Sequence, residues 1–150
     1  MEVGRGKCDR MIPRHRKLVP VSHATTLGSL SWLLLTNRLH AWRECHELAV
    51  AVFRVTKTFP AEERYGLTSQ LRRAAFSAPV NIVEGSSRKS RKEFRRFLDI
   101  SVSSLSEVGY ALLFAKEAGL LDEGLWKDLS DRQNRARFLT WRLYRVLGRE

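Results

Sequence analysis

Apolar residues return every three or four positions over most of this chain, the repeat that one buried face of an α-helix imposes. From Leu39 onward, Trp42, Cys45, Ala49, Val52, Phe53 and Thr56 follow it and predict a first helix. That helix should end near Phe59-Pro60, because proline has no amide hydrogen to donate and restricts the residue before it. A short connection through Ala61, Glu62 and Glu63 leads to a second helix from about Gly66 to Glu84, with Leu67, Leu71, Ala74, Ala75, Ala78, Ile82 and Val83 inward. Pro79 falls inside it and should either kink it or begin a second short turn. Gly85-Ser86-Ser87 interrupts the pattern, and Ser90-Arg91-Lys92-Glu93 then has the form of a capping box, in which serine and glutamate each satisfy a backbone amide. The third helix runs through Phe94, Phe97, Leu98, Ser101, Leu105, Val108, Leu112 and Ala115 to a terminating Gly119. Asp122 caps a fourth, whose inward stripe is Leu125, Trp126, Leu129, Ala136, Leu139, Leu143 and Leu147. Four long helices with short links predict an all-α, up-and-down antiparallel four-helix bundle over residues 39–150.

Residues 1–38 are different. They carry seven basic and two acidic residues, with Gly4, Gly6, Pro13, Pro20 and Gly28 scattered among them and no sustained apolar period, the composition of a poorly ordered basic extension. Leu27 to Leu35 is apolar but only nine residues long, too short to cross a bilayer, and no small-x-small cleavage site follows it. No membrane association is expected. Cys8 and Cys45 cannot form a CxxC pair, so neither a disulfide framework nor a zinc ribbon is indicated and a cytoplasmic setting fits best.

Charge sharpens the picture. With 27 Lys and Arg against 16 Asp and Glu the net charge is +11, which favours polyanionic partners, while a hydrophobic fraction of 43% remains ordinary for a folded chain. Catalysis needs converging titratable groups, and few candidates survive. Cys45 and His46 are adjacent, so on a helix they diverge by about 100° and cannot share a metal; a partly exposed surface pair is expected. The Glu-x-x-His signature of di-iron bundles is absent, and the seven serines from Ser86 to Ser106 have no histidine nearby. No enzyme activity, cofactor or metal is expected. Asn81, Glu84 and Glu107 lie on or beside apolar stripes, and a structural network joining helices two and three is expected of them, a ligand or subunit contact being the other reading of the two glutamates.

The strongest functional candidate is the run Arg88, Lys89, Arg91, Lys92, Arg95 and Arg96, which wraps the start of helix three where free amides already favour anions. Arg132, Arg135, Arg142, Arg145 and Arg149 recur along helix four, and Arg72-Arg73 adds a third set. These faces show no aromatic interleaving, so base stacking is not expected and binding to RNA or DNA should be sequence-tolerant and salt-sensitive.

Leu39-His40-Ala41-Trp42, Phe59-Pro60-Ala61-Glu62-Glu63-Arg64-Tyr65-Gly66-Leu67, Gln70-Leu71-Arg72-Arg73-Ala74, Asn81-Ile82-Val83-Glu84-Gly85 and Phe97-Leu98-Asp99-Ile100 occur in that order. Together they resemble the bacterial four-helix-bundle proteins named after intervening sequences in 23S ribosomal RNA genes. That family in turn resembles the accessory variability determinants of diversity-generating retroelements, homopentameric rings that bind nucleic acid and assist a reverse transcriptase. The resemblance implies a cytoplasmic, non-enzymatic homo-oligomer, a pentamer in its sharpest form, that binds nucleic acid and serves a reverse transcriptase. The alternative is an interaction scaffold whose basic residues only keep it soluble.

Overall fold

The computed structural model describes residues 40–148, so the expected N-terminal extension, Leu39 and Arg149 lie outside the described residues. The chain forms α1 (His40–Val55), a single 3-10 turn (Ala61–Arg64), α2 (Leu67–Ser86), α3 (Arg91–Glu117) and α4 (Glu123–Leu147). Its boundaries have local causes. α1 stops five residues before Pro60, where the Val52 carbonyl accepts both the Thr56 amide at 3.0 Å and the Thr56 hydroxyl at 2.8 Å. The turn after Pro60 brings Glu63 under α2, where its Oε2 accepts from the Leu67 amide at 3.2 Å. At the head of α3 the Ser90 hydroxyl accepts from the Glu93 amide at 3.1 Å, and at the head of α4 Asp122 Oδ1 accepts from the Leu125 amide at 2.8 Å. α3 closes in a Schellman motif: the Leu120 amide reaches the Ala115 carbonyl at 2.8 Å and the Gly119 amide reaches Lys116 at 3.0 Å. Gly119 permits this with φ of 75°, which a side chain would resist.

Neighbouring helices run antiparallel around one core. Ser77 meets Ser104 at 2.9 Å and Ser101 donates to the Ala78 carbonyl at 2.9 Å, pairing α2 with α3. Gln133 Nε2 donates to the Leu105 carbonyl at 2.7 Å, and Cys45 Sγ lies 3.4 Å from Thr140 Oγ1, setting α4 against α3 and α1. Leu48, Val52, Leu71, Ile82, Leu98, Leu105, Val108 and Leu112 are fully buried between them. By length and composition α3 could cross a membrane, but its buried stripe is the centre of this core.

Several details differ from expectation. At Pro79 no second turn begins: the helix continues through it to Ser86, with Pro79 itself buried. Gly85 does not break the helix but is buried within it, where a Cβ would lie 2.6 Å from Phe94 Cδ2 and 2.7 Å from Phe97 Cβ, so the end of α2 and the start of α3 approach too closely for any side chain. On α1, Leu48 is fully buried while Phe53 is half exposed, because the ring lies under the Arg72 guanidinium at 4.6 Å and packs at the surface. Likewise Leu125, expected inward on α4, is exposed.

Candidate nucleic-acid interface

An up-and-down bundle gathers the start of α1, the end of α2, the start of α3 and the end of α4 at one end. Two basic sets that are some fifty residues apart in the chain therefore meet. Arg91 Nη2 donates to the Val146 carbonyl at 3.2 Å, and Arg95 Nη2 donates to the Tyr144 hydroxyl at 3.1 Å with its guanidinium 4.5 Å above the Tyr144 ring. These contacts satisfy a carbonyl in the last turn of α4 and bring the end of that helix, which carries Arg142 and Arg145, to the start of α3. Arg88 pairs with Glu84 and lies 4.8 Å over Phe97. Lys89, Lys92 and Arg96 are exposed and make no ion pair or side-chain hydrogen bond among the described residues, so their charge faces solvent unshared.

The other predicted cations do not join this end. Arg72 and Arg73 sit near the start of α2, at the opposite end, and Arg72 Nε is committed to Thr56 Oγ1 at 2.7 Å. Arg132 donates to Asp128 at 2.9 Å, a hydrogen bond that holds its pKa above the ordinary arginine value, and Arg135 lies 3.9 Å from Glu44. At the opposite end Glu62, Glu63, Glu117, Asp122, Glu123 and Asp128 are balanced by Arg54, Lys57, Arg64, Arg72, Arg73, Lys116 and Lys127, so the excess positive charge is polarised toward the end where α3 begins. Alternating helix directions make the backbone dipoles largely cancel at each end, leaving side chains to set the potential.

The expected lack of aromatics on the basic faces is contradicted on α4. Phe138 is 54% and Trp141 is 44% exposed on its outward side, with Arg142 5.7 Å from the Phe138 centroid and Arg145 5.0 Å from the Trp141 centroid. Positions 138, 141, 142 and 145 have the spacing of one helix face, so the pattern was present in the sequence. It was missed because Leu125 to Leu147 accounted for the apolar stripe of that helix and the two rings were left without a place. A second exposed apolar surface is a groove of about 930 Å³ between α1 and α2, floored by Phe53, Phe76, Pro79 and Val80, with Arg54 and Lys57 at its rim. Beside it Trp42 stacks on His46 with centroids 5.2 Å apart.

The polar network between α2 and α3 exists but with other members than expected. Asn81 Nδ2 donates to the Ser77 carbonyl at 2.8 Å and approaches its hydroxyl at 3.0 Å; Ser77 meets Ser104, whose hydroxyl donates to the Ile100 carbonyl at 2.9 Å. Glu84 and Glu107 are exposed and take no part, since a carboxylate at the bundle surface keeps its hydration rather than losing it inside. Nor are Cys45 and His46 a surface pair: Cys45 is fully buried and only His46 is exposed. Burial pushes the Cys45 thiol up to about 11, against a small opposing effect of the Thr140 hydroxyl. An acid whose pKa rises on folding stabilises the fold below its unfolded value of 9.0, and that contribution is lost as pH climbs through the window to about 11. A two-unit rise corresponds to about 3 kcal/mol. The stability difference between the wild type and Cys45→Ala should therefore shrink by that order between pH 9 and 11 in chemical denaturation; a constant difference would show the thiol to be solvated.

Residues 37–140 match the family model described as 23S rRNA-intervening sequence protein. A solved structure of a protein of unknown function from the S23 ribosomal protein family, from Bacteroides thetaiotaomicron, is similar with a TM-score of 0.66 at 19% identity, covering 70% of this chain and 95% of that one. At that identity the likeness speaks for the fold alone. No curated protein matches the chain.

Proposed function

This chain belongs to the 23S rRNA-intervening sequence protein family, and from that premise we propose that it is a non-enzymatic, cytoplasmic protein that binds RNA through its phosphate backbone. The observation that carries the reading is the meeting of the α3 cations with the end of α4, held by the Arg91–Val146 and Arg95–Tyr144 contacts. Unpaired lysines and arginines gathered at one end of a polarised molecule release counterions when they meet phosphates, which yields affinity without base recognition. The family description, with its ribosomal RNA, favours RNA over DNA. Filter binding of labelled RNA between 50 and 200 mM salt tests it: affinity should fall with a log–log slope steeper than about −3. A flat salt response, or no retention at micromolar protein, defeats the proposal.

A second element of the reading is self-association. The α1/α2 groove leaves Phe53, Phe76 and Val80 in water, an apolar surface of the kind that a second copy covers in a homo-oligomer. Its finest form, a homopentameric ring serving a reverse transcriptase, rests on the resemblance to accessory variability determinants alone. If sedimentation gives a monomer, that form falls. Partners retained after nuclease treatment would instead favour the scaffold reading.

A further inference from the structure

Deepening the RNA reading and resting on it, we propose that the outward face of α4 is a stacking platform for unpaired bases, with Phe138 and Trp141 taking the bases and Arg142 and Arg145 the flanking phosphates. Rings half exposed on a helix surface expose apolar area to water that a partner can cover, and here each ring has an arginine at 5.7 or 5.0 Å from its centroid. Phe138 and Trp141 are three residues apart, so their Cβ atoms lie about 5–6 Å from each other on one face, and Arg145 continues the same row toward the cationic end. A strand whose backbone is gripped near Lys92 and Arg96 can thus run onto the rings without leaving positive potential.

The charge pattern decides which occupant fits. A second copy packing this face against itself about a two-fold axis would set Arg142 and Arg145 against their own equivalents, and a copy offering the α1/α2 groove would bring Arg54, Lys57 and Arg72 to the same arginines. Both juxtapositions repel. A polyanion gains from the same residues. Among RNA structures, a duplex keeps its base faces inside the stack and offers an α-helix surface only phosphates and sugars, whereas loops and ends present π-faces that aromatic side chains can take. The chemistry of the face is therefore that of single-stranded RNA.

The test compares a mixed-sequence single-stranded RNA of roughly 12 nucleotides, within the span a stacking surface covers, with the same strand annealed to its complement. Phe138→Ala and Trp141→Ala should each weaken the single strand roughly tenfold, leave duplex affinity and the salt slope unchanged, and leave thermal unfolding unchanged because both rings lie outside the core. Trp141→Phe should restore most of the loss. Arg142→Gln with Arg145→Gln should weaken both ligands and flatten the slope. If the ring variants weaken duplex and single strand alike, or neither, the platform is refuted while backbone binding of RNA stands. If wild-type protein binds no RNA, both readings fail together. Should the ring variants instead dissociate an RNA-free oligomer in sedimentation, the face belongs to self-association and the proposal is overturned.

Discussion

Replacing Lys89, Lys92 and Arg96 together with glutamine lowers affinity for single-stranded RNA roughly 50-fold at physiological salt and removes about two units from the log–log salt slope. The figure follows from counterion release: each neutralised phosphate of a single strand contributes about 0.7 to the slope, hence a factor of roughly four at 0.15 M, and three such contacts multiply. These three side chains are the right ones because they have no structural task. Arg91 and Arg95 hold the last turn of α4, and Arg88 is shared with Glu84 and the Phe97 ring, so removing them would confound binding with folding. Thermal unfolding of the triple variant should match the wild type or exceed it, since like-charge repulsion at that end is relieved. A loss of affinity under threefold with the slope intact would place the phosphates elsewhere on the molecule.

Leu105→Ala should cost about 3 kcal/mol of stability, read as a shift in the urea midpoint at constant slope. Leu105 is fully buried near the middle of α3, and three hydrogen bonds around it resist the collapse that would shrink the cavity. Ser101 is fixed to Ala78, Ser104 to Ser77, and the Gln133 amide to the backbone carbonyl of Leu105 itself. Cavities whose walls cannot move carry the largest penalties. A cost below about 1 kcal/mol would mean that α3 slides into the vacated volume and that these polar contacts set no register.

Much of this architecture could be read from the chain because its causes are local. Ser90 and Asp122 cap the helices they were expected to cap, and Gly119 ends α3, since each acts on amides or carbonyls within a few residues. Contacts made across helices were harder to see. Gln133 and Thr140 are polar in sequence yet buried, because the fold sets the Leu105 carbonyl and Cys45 opposite them, Thr140 also bonding the Ala136 carbonyl one turn back on its own helix. Phe53 is expected inward from its three- and four-residue spacing, a spacing that Leu48 shares; in the fold Leu48 is buried and Phe53 packs at the surface under Arg72. The basic residues of the candidate interface were visible as three sets. Which two of the three share an end depends on helix direction, and the rings of Phe138 and Trp141 gain a functional meaning only once α4 is known to turn them outward.

Cancellation of the helix dipoles has an evolutionary side. Because the scaffold contributes almost no field of its own at either end, the character of each end is set by a handful of solvated side chains that the core does not need. Binding preference and foldability are then separable traits: mutation can shift or invert the polarity of such a molecule while the buried residues stay as they are. Divergent relatives are expected to keep the interior and rewrite the ends, so that shared ancestry in this architecture predicts shape far better than it predicts a partner.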